Sequence, residues 1–158
     1  MPPIGAPAAS LPGHAKNCMS EFVDSNIFCY AHELGAGRKH EISIDLIDRL
    51  VEEETGSISI QVLVEFYSVA TRKLRLSSQY AEDVLSDLGE WYLHRPDHAS
   101  VVAAVHLQRR YKLAWYDAMI LNSALETNCS VLWTEDFNDG QKFGDLVIRN
   151  PYKNTRLV

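Results

Sequence analysis

The stretch EFVDSNIFCY, Glu21 to Tyr30, decides how this chain reads. Phe22 and Val23 form a short apolar run with the character of a buried strand, and the run leads straight into Asp24. Ser25 and Asn26 make a turn, and Ile27-Phe28-Cys29-Tyr30 is an apolar segment that suits a helix. A carboxylate directly after a buried strand is costly to desolvate without a partner. The C-terminal ends of strands are also where α/β sheets bind their ligands. Asp24 is therefore either the cap of the following helix or the first ligand of a site, and the rest of the chain has to choose.

Downstream, Gly35-Ala36-Gly37 is a break. Ile44, Ile47, Leu50 and Val51 then recur at helical spacing within Glu41 to Glu54. Thr55-Gly56 closes that helix, with Gly56 as its C-cap. Ser57 to Ile60 is a β-branched run and reads as the second strand. Gln61 to Leu74 is helical again, with Glu65 one turn in. Ser77-Ser78 caps a helix reaching Leu88, and Trp91-Tyr92-Leu93 is a third strand or an extended connection. Pro96-Asp97 starts a helix over His98 to Tyr111. A further helix begins near Tyr116-Asp117 and runs to Glu126. Ser130 to Trp133 is a strand that ends at Thr134-Glu135-Asp136, and Gly144 to Ile148 is a last short strand. Strands interleaved with helices predict an α/β fold with a mostly parallel central sheet.

The chain has 158 residues, enough for one domain with a sizeable core. No apolar run approaches the roughly 20 residues of a membrane span. Residues 1–20 are rich in Pro, Ala and Gly and lack the pattern of a secretory signal. They read as a disordered tail, or as sequence upstream of a start at Met19. The three cysteines, Cys18, Cys29 and Cys129, include no C-x-x-C pair, which argues against a disulfide framework and suits a reducing cytoplasm. The six histidines form no zinc pattern. A net charge of −6 argues mildly against binding nucleic acid by bulk charge, but leaves room for acids gathered in a metal site.

Four carboxylates share one kind of position. Asp24 and Asp136 follow strands, while Glu65 and Asp117 lie in the first turns of helices. Strand ends and helix starts occupy one edge of a parallel sheet, so all four can converge. Gathered acids repel one another unless a cation neutralises them. An all-oxygen donor set suits Mg²⁺ or Mn²⁺. For the fourth position Asp139, in the Asn138-Asp139-Gly140 turn, is an alternative to Asp136. Each acid also has a plain reading: a cap, a dipole partner, a surface ion pair or a turn former. Glu65 fits the surface reading poorly, because its neighbours Val64 and Phe66 are apolar.

Four segments in order carry a resemblance. They are FVDSNIF at Phe22 to Phe28, VLVEF at Val62 to Phe66, WYDAMILNSA at Trp115 to Ala124 and WTEDFNDGQ at Trp133 to Gln141. In these the chain resembles PIN-domain proteins, of the kind that serve as the toxin in VapBC-type toxin–antitoxin pairs. The resemblance implies a PIN domain over residues 21–152 and a C-terminal tail over 153–158. It implies a three-layer α/β/α sandwich and a metal-dependent endoribonuclease acting on RNA. Asp24, Glu65, Asp117 and Asp136 would be the catalytic, metal-binding acids, with Asn26 and Thr134 as polar neighbours able to reach ligands or the scissile phosphate. It also implies a homodimer, with a cognate antitoxin whose tail enters the acidic pocket.

Two basic clusters flank these segments. Arg72, Lys73 and Arg75 end the Glu65 helix, and Arg109, Arg110 and Lys112 precede Asp117. They are either a phosphate track or favourable charge at helix C-termini. Trp115 and Tyr116 suit core packing better than stacking on a base. The helices Glu41 to Glu54 and Ser77 to Leu88 offer a dimer or antitoxin surface, though the core explains their apolar stripes first. Two other functions compete. A non-catalytic PIN-like module that binds RNA or protein has no need of four acids. A haloacid-dehalogenase-type phosphatase needs D-x-D after the first strand, where this chain has Asn26.

Overall fold

Strand β1 (Glu21–Val23) lies inside a six-stranded sheet, and the path of the chain around it creates the site. The structure is a computed structural model that describes residues 19–153. Most of the expected N-terminal tail and residues 154–158 of the C-terminal tail lie outside the described residues. From β1 the chain passes through α1 (Ser25–Ala31), a 3-10 turn (Leu34–Ala36) and α2 (Arg38–Glu53) to β2 (Gly56–Ser59), on one side of β1. It continues through α3 (Ile60–Arg72) and α4 (Ser78–Leu88) to the edge strand β3 (Tyr92–His94). Then α5 (His98–Tyr111) and α6 (Trp115–Glu126) carry it back to β4 (Val131–Trp133), on the other side of β1. A two-residue β5 (Lys142–Phe143) and β6 (Leu146–Arg149) complete the order β3-β2-β1-β4-β6-β5.

Every pairing is parallel except β5 with β6. Parallel crossovers are right-handed, so reversing the direction of travel after β3 moves the helices to the opposite face. Accordingly α1 to α4 pack on one another, and α5 packs with α6, giving a helical layer on each side of the sheet. This is the expected α/β architecture. Phe22, Val23, Ile58, Leu132 and Ile148 from the strands, with Ile27, Phe28, Val62, Phe66 and Leu121 from the helices, are fully or almost fully buried.

The reversal makes a switch point between β1 and β4, where the connections leave in opposite directions and open a crevice at the strand ends. Val23 pairs with Trp133, and the Asp24 amide donates to the Trp133 carbonyl at 3.0 Å. Asp24 and Thr134 therefore step out of adjacent strands side by side.

Several boundaries differ from the sequence reading. Helix α2 begins at Arg38, directly after Gly37 at φ 57°, rather than at Glu41. Ile60 opens α3 instead of closing β2. Gly56 is not the C-cap: Glu54 takes the left-handed turn, at φ 53°. Gly56 opens β2, where a Cβ would stand 2.4 Å from the Trp91 ring. The absence of a side chain there lets Trp91 cover the strand and meet Phe28 edge-on. Strand β5 escapes the sequence reading because two residues carry no periodicity. The expected caps at Ser77 and Asp97 are present, each accepting from a backbone N–H of its helix.

Candidate active site

Asp24 is a cap whose second carboxylate oxygen is left for the crevice. Its Oδ1 accepts the Ser25 amide at 2.7 Å at the start of α1. Its Oδ2 accepts the Thr134 hydroxyl at 2.8 Å and the Asn26 amide at 3.4 Å. The side chain is buried, and burial pushes its carboxyl up to about 7. The Thr134 hydrogen bond opposes this shift, and the nearby charges of Asp136 and Glu65 add to it.

Thr134, itself wholly buried, ties the fourth segment to the first. Its Oγ1 donates to Asp24 and accepts the Asp136 amide at 3.1 Å. Asn26 bridges from the other side, donating to Asp136 Oδ2 at 3.0 Å. Asp139 is occupied elsewhere: its Oδ1 accepts the Asn150 amide at 2.9 Å and so closes the loop that carries Asp136. The next residue back, Glu135, turns away to Lys39 and Tyr30, each donating to it at 2.6 Å.

Glu65 reaches the crevice from the second turn of α3. Oε2 accepts the Ser25 hydroxyl at 2.6 Å, and Oε1 accepts the Gln61 side-chain amide at 2.5 Å. No arginine or lysine pairs with Glu65 among the described residues. The apolar neighbours of Glu65 do not both take it into the core. Phe66 is buried, but Val64 is 63% exposed, and Glu65 is placed by its hydrogen bonds. Asp117 sits in the first turn of α6, where the helix dipole favours a negative charge. Its carboxyl is nevertheless raised to about 6, by burial first and then by the charges of Asp136 and Glu65. Asp24 and Asp117 thus each lie within electrostatic reach of Glu65 and Asp136, at the C-terminal edge of the sheet.

Ser25 and Gln61 are participants that the sequence reading passes over. Ser25 stands inside the quoted FVDSNIF segment. Gln61 precedes Glu65 by four residues, the spacing at which helical side chains meet. Tyr116 is 66% exposed and so is not the core residue expected. It lines a shallow groove of about 380 Å³ with Gln61, Arg95, Val101 and Trp115. Arg72, Lys73, Arg109 and Arg110 are exposed at or just beyond the ends of α3 and α5. Among the described residues, none of them forms an ion pair with the four acids.

The donor set fits a hard divalent cation. It offers carboxylate and hydroxyl oxygens, no thiolate and no imidazole, and among the described residues no Lys or Arg forms an ion pair with Asp24, Glu65, Asp117 or Asp136. Among the described residues, no three Asp, Glu, His or Cys side chains stand close enough to enclose an ion by themselves. Mg²⁺ does not require this, because it keeps several waters and takes one or two carboxylates.

The chain matches the PIN domain over residues 22–140, and it belongs to that family. The fold is similar to a toxin–antitoxin complex from Klebsiella pneumoniae, with 22% identity, a TM-score of 0.62, and coverage of 84% of this chain and 98% of that one. It is similar to VapBC2 from Rickettsia felis, bound to a DNA fragment from its promoter, at 21% identity, a TM-score of 0.61 and the same coverage. It also resembles Mycobacterium tuberculosis VapC20, a sarcin–ricin-loop-cleaving toxin, at 15% identity and a TM-score of 0.58, covering 75% of this chain and 90% of that one. No curated protein sequence matches the chain.

Proposed function

We propose that the protein is a metal-dependent endoribonuclease and the toxin of a toxin–antitoxin pair. The observation that carries this reading is the meeting of Asp24, Glu65, Asp117 and Asp136 at the β1–β4 switch point, with Asp24 and Asp117 held well above the usual carboxylate range. Toxin–antitoxin complexes and an RNA-cleaving toxin among proteins of the same fold support it.

The four acids would hold Mg²⁺ or Mn²⁺. Such a cation supplies positive charge against phosphoryl oxygens and makes water more acidic. The residues do the rest. Asp24, fixed by Ser25, Thr134 and Asn26, gives the site a rigid floor. Asp136 and Asp117 are both more accessible than Asp24, so an RNA would meet them first. Either can accept a hydrogen bond from an attacking water and so orient it.

Partners follow from the surface. An acidic pocket suits a basic antitoxin tail. Val64, Tyr67, Val101, Val102 and Tyr116 are exposed apolar side chains on α3, α5 and α6, and they suit pairing with a second copy. No helix among the described residues is long and apolar enough to cross a membrane, and cytoplasmic RNA is the proposed target.

The test incubates pure protein with mixed tRNA and rRNA, in Mn²⁺ or EDTA, beside Asp117→Asn. Cleavage that needs both the metal and Asp117 is expected. Tight RNA binding without cleavage would replace this reading with a binding module.

A further inference from the structure

Gln61 lies between two of the acid-bearing helices. Its Nε2 donates to Glu65 Oε1 at 2.5 Å and to the main-chain carbonyl of Tyr116 at 3.1 Å. Tyr116 immediately precedes Asp117 in the first turn of α6. The amide has two hydrogens, so a single side chain serves both acceptors. Glu65 is held at its other oxygen by Ser25, at the start of α1. The carboxylate is thus suspended between the N-termini of α1 and α6.

We propose that Gln61 is a positioning residue, clamping Glu65 to the first turn of α6 and so presetting the separation of Glu65 from Asp117. The proposal rests on the metal-site reading above for its consequence, but the clamp itself exists in the ion-free protein. Three features support it. The acceptor on α6 is a main-chain carbonyl, so the contact fixes the backbone that carries Asp117 rather than a mobile side chain. Glu65 and Asp117 are both carboxylates brought to one crevice, and like charges repel. A neutral amide donor is therefore what can hold Glu65 in place without cancelling the charge a cation needs. Finally, Gln61 lines the groove that also contains Tyr116 and Arg95, so whatever occupies that groove touches the clamp.

The test uses Gln61→Met, which keeps the length and bulk of the side chain and removes both donors. Its first arm reads the clamp without metal, by thermal unfolding in EDTA. Gln61→Met is expected to lower Tm by about 3 °C. The same change made in a Glu65→Ala background is expected to cost less than half as much, because the principal acceptor is gone. Equal shifts in the two backgrounds overturn the proposal. The second arm titrates Mn²⁺ by calorimetry. Gln61→Met is expected to weaken binding about 10-fold, the usual cost of losing an outer partner of a ligand. In cleavage, kcat should fall while KM for RNA holds. Unchanged Mn²⁺ affinity in a folded variant overturns the proposal. If the wild-type protein binds no Mn²⁺, the metal reading fails and the first arm alone judges the clamp.

Discussion

The side-chain amide of Asn26 stands 3.0 Å from Asp136 Oδ2, joining residues 110 positions apart. The same nitrogen lies 3.4 Å from Asp24 Oδ2, so one neutral donor spaces two carboxylates that repel. Asn26→Ala removes that spacer at a partly exposed position. Mn²⁺ affinity and cleavage should drop about 10-fold or more, with Tm nearly unchanged. A variant that cleaves like the wild type would assign Asn26 no part in the site.

Asp24 makes stability depend on pH in an unusual direction. Its carboxyl is near 3.8 as a free group and is raised to about 7 when folded, chiefly by burial. Below pH 4 both states are protonated and there is no penalty. Between 4 and 7 the unfolded chain loses the proton first, so stability falls as pH rises. Above 7 the penalty is complete, about 4 kcal/mol. Asp117 acts in the same sense, less strongly because it is more exposed. The metal-free protein should therefore lose Tm between pH 4.5 and 7.5, and Asp24→Asn should remove most of that loss. Asn26 Oδ1, buried without a partner, can turn to accept from the new amide. Mn²⁺ should raise Tm more at pH 7.5 than at 5.5, since protons compete for the same oxygens. A Tm profile identical in wild type and Asp24→Asn would sink this account.

Asp136 and Asp139 should separate cleanly. Asp136→Asn keeps an acceptor for Asn26 but loses the charge, so cleavage should fall at least 100-fold with little change in Tm. Asp139→Ala strips the acceptor from the Asn150 amide. It should cost about 1–2 kcal/mol of stability and leave cleavage by the folded fraction intact. Chemical denaturation beside cleavage rates reads both, and the reverse pattern would make Asp139 the site residue.

Gly56→Ala should be the most damaging single methyl in the sheet. The new Cβ meets ring atoms of Trp91 at 2.4 Å, and the ring is backed by Phe28. A loss of about 1–3 kcal/mol is expected, with Trp91→Leu in the same chain restoring part of it. An unaffected Tm would show that Trp91 moves freely.

Asp24, Asp117 and Asp136 were legible as candidates because each stands at an element boundary that neighbouring apolar runs make visible, whereas Glu65 lies in the second turn of α3. The strand order was legible only as a class. Nothing in residues 57–60 says that β2 pairs with β1, and the two residues of β5 carry no pattern of their own. The partners that aim the carboxylates were not legible. Ser25 reaches Glu65 across 40 residues, and Thr134 reaches Asp24 across 110. Contacts of that span leave no local periodicity. The misreading of Gly56 has a similar origin: a glycine after a helix suggests a cap, and the ring of Trp91 that excludes a side chain lies 35 residues away. Val64 and Tyr116 were misjudged because hydrophobicity alone does not say which face of a helix the fold covers.

The pairing of β1 with β4 has a consequence in time as well as in space. Asp24 emerges early in synthesis and Asp136 late, and their shared crevice forms only when the strands on either side of the switch point close a loop of more than a hundred residues. Non-local closure of this kind comes late in folding. A nascent chain still threaded through the ribosome therefore carries scattered acids and no assembled centre. On the ribonuclease reading, the protein is harmless to the machine that is making it until nearly the whole domain has been released.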